Sequence, residues 1–159
     1  GWACIRTRTK ARGRSRPVSV VVSEAPMKIY VSRVPFEGLR AETRYEPKAL
    51  DIDRPDIRAS QPITVSSFIM KADTALVVEA DIRGQLELVC GRCLATFALP
   101  IHTTHTLTYQ VGPADVVDIT DDVRQEILLT YPMIPLCGPG CKGLCRRCGQ
   151  NLNEQACAC

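Results

Sequence analysis

Hydrophobic and polar residues alternate along most of the middle of the chain, and that two-residue period points to strands rather than helices. Pro62-Ile63-Thr64-Val65-Ser66-Ser67-Phe68-Ile69-Met70 is rich in β-branched residues, and the turn residues Lys71-Ala72-Asp73 separate it from Ala75-Leu76-Val77-Val78-Glu79-Ala80-Asp81-Ile82. Two such runs so closely joined predict a hairpin. Gly84 is expected to break or bulge the second run, after which Leu86-Glu87-Leu88-Val89 alternates into Cys90. A further strand is expected from Thr96 to Val111, because Phe97, Leu99, Ile101, Leu107 and Tyr109 all fall on odd positions and so share one face. Met27-Lys28-Ile29-Tyr30-Val31 reads as an earlier strand, whereas Ala41-Glu42-Thr43-Arg44-Tyr45-Glu46 suits helix or strand between prolines at 35, 47, 55 and 62.

The period changes only once. Thr120 is placed to cap a short helix, Asp121 and Asp122 suit the positive end of its dipole, and Val123, Ile127 and Leu128 form its apolar stripe before Pro132. Beyond it, Pro132-Met133-Ile134-Pro135-Leu136 can only run extended toward Cys137. The expected fold class is α+β: a mainly antiparallel sheet, one or two short helices, and a C-terminal zinc-knuckle appendage. The expected division is an N-terminal extension over 1–26, a β-rich domain over 27–136 and a cysteine-rich metal-binding tail over 137–159.

Cysteine spacing changes the picture more than any other feature. Of nine cysteines, six crowd into the last 23 residues: Cys137, Cys141, Cys145, Cys148, Cys157 and Cys159. Cys90-Gly91-Arg92-Cys93 and Cys145-Arg146-Arg147-Cys148-Gly149 are C-x2-C pairs, a tether short enough to aim both sulfurs at one ion while backbone N–H groups turn toward the thiolates. Cys157-Ala158-Cys159 is tighter still, and Gly138-Pro139-Gly140 prevents a regular helix between Cys137 and Cys141. Sorting by proximity gives a local set of Cys145, Cys148, Cys157 and Cys159, and a split set of Cys90, Cys93, Cys137 and Cys141. Four thiolates are the donor set of a closed tetrahedral centre, so two zinc ions are expected, in preference to iron because nothing in the chain signals electron transfer. The split set must close the 44 residues between Cys93 and Cys137. That closure entropy grows only logarithmically with length, and structural zinc supplies on the order of 10 kcal/mol or more against it.

Charge redirects the search for partners. The net charge of +3 conceals an N-terminal segment whose Arg6, Arg8, Lys10, Arg12, Arg14 and Arg16 oppose only Glu24, leaving residues 27–159 at −2. Residues 1–26 therefore read as a non-native upstream extension, a disordered basic arm or an organelle transit peptide. No apolar run has bilayer-spanning length, so no membrane partner is expected.

Catalytic signals are weak. A four-thiolate centre has no open coordination position for a substrate or water. His102 and His105, three apart on a strand, face opposite sides and are expected to be ordinary strand residues. No phosphate loop, nucleophile elbow or paired carboxylate stands out, so no small-molecule substrate is expected and the chain reads as a non-enzyme. A dithiol redox protein using Cys90 and Cys93 is the alternative, although such pairs open a helix after a strand and this one lies between two strands. A zinc-stabilised protein–protein adaptor is another.

The start Met27-Lys28-Ile29, the strand entering Cys90-Gly91-Arg92-Cys93-Leu94, the segment Asp118-Ile119-Thr120, and above all Pro135-Leu136-Cys137 through Cys141-Lys142-Gly143-Leu144-Cys145-x2-Cys148-Gly149-Gln150-Asn151-Leu152-Asn153 with Cys157-x-Cys159 resemble the bacterial YceD family. The likeness runs from about residue 27 to residue 159. It implies a ribosome biogenesis factor needed for large-subunit ribosomal RNA to accumulate, acting in the bacterial cytoplasm or, if residues 1–26 are a transit peptide, in plastids. It implies as partners large-subunit ribosomal RNA, its precursor particles, or a large-subunit ribosomal protein. Arg92, Arg146 and Arg147 are then candidate phosphate contacts, because rigid knuckles can present cations to RNA.

Overall fold

A computed structural model describes residues 20–24, 27–157 and 159. Most of the N-terminal extension expected over 1–26, with its basic residues, lies outside the described residues. Its described part, Val20–Glu24, is strand β1.

The alternating runs fold as their period dictates. β2 (Lys28–Tyr30), β3 (Leu39–Tyr45), β4 (Ile57–Ala59), β5 (Ile63–Ala72), β6 (Ala75–Val89), β7 (Thr96–Gln110) and β8 (Val116–Asp118) follow β1, and the helix α1 spans Thr120–Leu129. The segment 41–46 that suited helix or strand is strand β3. β5 and β6 form the expected hairpin, closed by a turn in which Asp73 takes φ 52, a conformation that aspartate tolerates better than most residues.

The main sheet runs β1-β3-β5-β6, with β7 paired along the other edge of β6. Every pairing is antiparallel except the parallel one between β1 and β3. β2 lies outside this sheet and pairs with β8 in a separate antiparallel ribbon.

One expectation fails here. Gly84 neither breaks nor bulges β6: the ladder to β7 continues residue by residue through Gly84↔Ile101 to Val89↔Thr96. The glycine marks a change of neighbour instead. β5 pairs with β6 as far as Arg83, and β4 takes over the same edge from Leu86 to Leu88. At the changeover a Cβ on residue 84 would sit 2.9 Å from Cγ1 of the fully buried Ile63. Close approach by a neighbouring side chain is the other reason for glycine within a strand.

The helix start also differs. Thr120 is the first helical residue rather than the cap, its hydroxyl lies beside the buried Tyr45 phenol, and the Asp118 carboxylate accepts its N–H at 3.0 Å. The aspartate two residues earlier thus does the capping that a threonine side chain turned inward cannot.

One face of the sheet is apolar. Ile63, Val65 and Ile69 of β5 meet Val78, Ile82 and Leu86 of β6, and Val123 and Ile127 of α1 cover them together with Ile119, Leu50 and Ile52. Two side-chain ties hold α1 over β7: Tyr109 donates to Asp122, and His105 Nδ1 lies 2.9 Å from Glu126 Oε2. His102 points the other way, 3.0 Å from Asp81 Oδ2, so the two histidines occupy opposite faces. No helix among the described residues is long and apolar enough to cross a membrane.

Candidate metal centres

The C-x2-C pair at Cys90 and Cys93 sits in the turn between β6 and β7, where a continuous two-strand ladder fixes its position. Cys90 N–H donates to the Ala95 carbonyl at 2.9 Å and Leu94 N–H to the Cys90 carbonyl at 3.0 Å, closing the knuckle. Leu94 takes φ 59 within it, the left-handed region that Gly149 occupies at φ 73 in the second knuckle.

The chain after α1 delivers the other half of the set. Tyr131 donates to Asp56 at 2.8 Å, which anchors the segment leaving the helix. Gly91 N–H then donates to the Pro135 carbonyl at 2.8 Å, so the stretch before Cys137, which bends at Met133 and Ile134 instead of running straight as expected, lies directly against the first knuckle. The sulfurs of Cys90, Cys93, Cys137 and Cys141 all fall within 4.8 Å of one another. Cys90 to Cys141 is 3.8 Å and Cys93 to Cys137 is 3.7 Å. A tetrahedron with metal–sulfur bonds of about 2.3 Å has edges of about 3.8 Å, so these spacings suit a single ion. Bridged iron–sulfur clusters would need the thiolates farther apart.

The second set, Cys145, Cys148, Cys157 and Cys159, also falls within 4.8 Å. Five of its edges run from 2.7 Å between Cys157 and Cys159 to 3.7 Å between Cys148 and Cys159, so the Cys157–Cys159 pair must spread before the set matches the edge of about 3.8 Å that a single ion imposes. The two sets differ in burial: in the first, Cys90 is 0% exposed, Cys93 5% and Cys141 8%, packed by Ala95, Phe97 and Leu136, with Cys137 alone exposed, whereas the second set is half-buried to exposed throughout. All eight thiols are free of disulfides.

Electrostatics fit a cation in each set. N–H groups of Cys93, Arg92 and Cys137 converge on Cys90 and pull its thiol down to about 6, and those of Cys148 and Arg147 do the same for Cys145. Within the same sets the neighbouring Cys141 pushes Cys137 up to about 12, and Cys159 pushes Cys157 up to about 12. Four thiolates cannot ionise together at such spacing without a counter-charge. A divalent ion supplies it, and its uptake must displace the protons that Cys137 and Cys157 hold.

The three candidate arginines are placed differently from one another. Arg92 Nη1 donates to the Cys141 carbonyl at 3.4 Å, bracing the first set, while Arg146 and Arg147 stand exposed between the ligands of the second. Neither histidine joins either set. Asn153 escaped the reading of the chain as a candidate site residue: its Nδ2 lies 3.5 Å from the Cys141 sulfur. Its only signal in the sequence was its place inside the asparagine-rich string between Cys148 and Cys157.

Comparison with known proteins finds a likeness over part of the chain. Residues 109–159 match the model of the family described as large ribosomal RNA subunit accumulation protein YceD. That segment carries six of the eight grouped thiols and is shorter than the span of likeness from residue 27. An uncharacterized protein of Mycobacterium tuberculosis is 36% identical over 82 aligned residues, covering 42% of this chain and 40% of that protein. The large ribosomal RNA subunit accumulation protein YCED homolog 1, chloroplastic, of Arabidopsis thaliana is 37% identical over 43 residues, 27% of this chain and 13% of that protein. Its namesake from Zea mays is 43% identical over 44 residues, 27% of this chain and 15% of that protein. The chain thus spans about two fifths of the mycobacterial relative and less of the plant ones. No solved structure matches it.

Proposed function

We propose, from the match of residues 109–159 to the YceD family model, that this protein is a non-enzymatic ribosome biogenesis factor supporting accumulation of large-subunit ribosomal RNA and assembly of the large subunit, with a structural zinc ion in each cysteine tetrad. The observation that carries the reading is a coincidence of two signals. The matched segment is also the one whose thiols complete both tetrads, so the part of the chain that resembles the family is the part that a metal would shape. The ions serve as cross-links: four sulfurs leave no open position for chemistry. Cys90 and Cys93 lack the exposure that a dithiol redox centre needs.

The partner is large-subunit ribosomal RNA or a precursor particle containing it. Arg146 and Arg147 sit exposed on a rigid knuckle, where they can meet phosphates. The −2 charge of residues 27–159 favours a second reading, in which the contact is a basic large-subunit ribosomal protein. The bacterial cytoplasm is the proposed location, or the plastid if the natural protein carries a transit peptide, as the chloroplastic names of the plant relatives suggest.

Deletion in the native organism tests the reading. The ratio of large- to small-subunit ribosomal RNA is expected to fall, and to recover with the full chain but not with a Cys93→Ser variant. An unchanged ratio after deletion rejects the proposal. RNA contact is separated from protein contact by salt: affinity for the RNA should drop steeply as salt rises and weaken in an Arg146→Ala, Arg147→Ala variant, whereas an adaptor on protein shows little of either.

A further inference from the structure

The two tetrads are joined by more than the three residues between Cys141 and Cys145. The chain from Gln150 to Asn153 folds back along residues 142–145: Cys145 N–H donates to the Gln150 carbonyl at 2.8 Å, Leu152 N–H donates to the Gly143 carbonyl at 2.9 Å, and Leu144 bridges Asn151. Gly143, at φ 75, presses against the first knuckle; a Cβ there would stand 3.2 Å from the Arg92 carbonyl, which itself accepts the Leu144 N–H at 3.1 Å. Asn153 completes this contact. It belongs to the loop that Cys148 and Cys157 of the second tetrad close, yet its side chain reaches the first.

The orientation of the Asn153 amide is fixed by its neighbours. Lys142 N–H can only donate, and it meets Oδ1 at 2.8 Å. Nδ2 is therefore the group left facing the Cys141 sulfur at 3.5 Å, with Asn151 Oδ1 accepting from it at 2.8 Å. Asn151 holds the arrangement from behind, its Oδ1 also accepting Asn153 N–H at 3.1 Å and its Nδ2 donating to Glu154 at 2.9 Å. A donor aimed at a thiolate stabilises the deprotonated form, the form that binds a metal, and fixes its position.

We infer that the two metal centres load cooperatively, and that Asn153 transmits the coupling: an ion in the exposed tetrad closes the 148–157 loop and so seats the amide on Cys141 of the buried tetrad. This rests on the reading that both tetrads bind metal. The exposed centre then acts as the sensing end of the pair. Loss of its ion to a chelator frees the loop, withdraws the amide donor and weakens the centre that ties β6 and β7 to the chain after α1. Because coupling between two binding sites is reciprocal, an ion in the buried tetrad raises the affinity of the exposed one by the same factor.

Competition with a chromogenic zinc chelator tests this on the full chain, with native mass spectrometry counting the ions. Asn153→Ala retains all eight thiols and is expected to bind two ions, with affinity at the buried tetrad reduced by about 10- to 100-fold, the usual effect of removing a partner of a metal ligand. Cys157→Ser with Cys159→Ser, which disables the exposed tetrad, is expected to weaken the buried one by the same factor. Adding Asn153→Ala to that double variant should cost nothing more, because the donor is already unseated. If the buried tetrad keeps its affinity in the double variant, or if the effect of Asn153→Ala is undiminished in its background, the coupling is overturned while the metal reading stands. A folded wild-type chain that binds no ion would overturn the metal reading itself.

Discussion

Leu94 is a residue that nothing in the packing explains until the knuckle is considered. It is 64% exposed, so it contributes little to the core, and it holds φ 59, which costs an L-residue roughly 1–2 kcal/mol. The tolerance comes from its neighbours: Cys90, Cys93 and the Leu94 N–H bond to the Cys90 carbonyl dictate the backbone there. The second knuckle solves the same geometry with Gly149. Leu94→Gly should therefore raise the stability of the metal-loaded protein by about 1 kcal/mol, since strain is relieved and almost no buried surface is lost. Thermal unfolding under saturating zinc checks this; a fall in midpoint would mean that Leu94 packs in a way its exposure conceals. The fifth position of a C-x2-C-G-like turn was visible in Cys145–Gly149 from the sequence, but not in Cys90–Leu94, because leucine carries no signal of a left-handed backbone.

At the scale of elements, the long β6–β7 ladder determines where everything else goes. Gly84 lets two successive strands share one edge of β6 by admitting Ile63. Gly84→Ala should overpack that point and cost about 1–3 kcal/mol, because the added Cβ would stand 2.9 Å from Cγ1 of the fully buried Ile63, which must shift to admit it. Urea denaturation measures it, and Gly84→Ala combined with Ile63→Val should recover part of the loss. Helix α1 is bound to the ladder through Tyr109 and His105. Burial, and then the Asp122 carboxylate to which Tyr109 donates, raise this phenol above its ordinary value of 10.0. A raised phenol pKa favours the neutral form in the folded state. Its contribution is complete below pH 10, the value in the unfolded chain, and is lost as pH rises above that toward the folded value. Stability is thus expected to fall more steeply above pH 10 in the wild type than in Tyr109→Phe, which should itself cost about 1 kcal/mol at neutral pH for the lost hydrogen bond.

For the molecule as a whole, the two tetrads have unequal weight. Cys93 is tied across 44 residues to Cys137, joining the sheet to the segment beyond α1, whereas the second tetrad closes only residues 145–159. Cys93→Ser should therefore lower the unfolding temperature of the whole domain and make backbone amides at the β6–β7 turn exchange faster. Cys148→Ser should leave β-sheet amides protected and confine the change to the tail, apart from the weakening of the buried tetrad that coupling through Asn153 brings. Hydrogen exchange resolved by residue separates these outcomes. Equal loss of protection in both variants would mean that the tail is integral to the sheet's stability.

The sequence by itself determined what depends on period and short spacing. Strands β5, β6 and β7 follow from alternation, the opposite faces of His102 and His105 follow from their odd separation, and the short tethers mark the cysteine pairs, while which pairs share a centre depends on the fold that brings Cys137 and Cys141 to Cys90 and Cys93. Tertiary structure decided what depends on which segments meet. That Gly84 spans a change of strand partner depends on Ile63, 21 positions earlier. That β1 lies parallel to β3, that Asp118 rather than Thr120 meets the helix start, and that Asn153 reaches Cys141 depend likewise on neighbours brought close only by folding. A period is a property of one segment and can be read from it; a close approach belongs to two segments at once, and neither carries its signature alone.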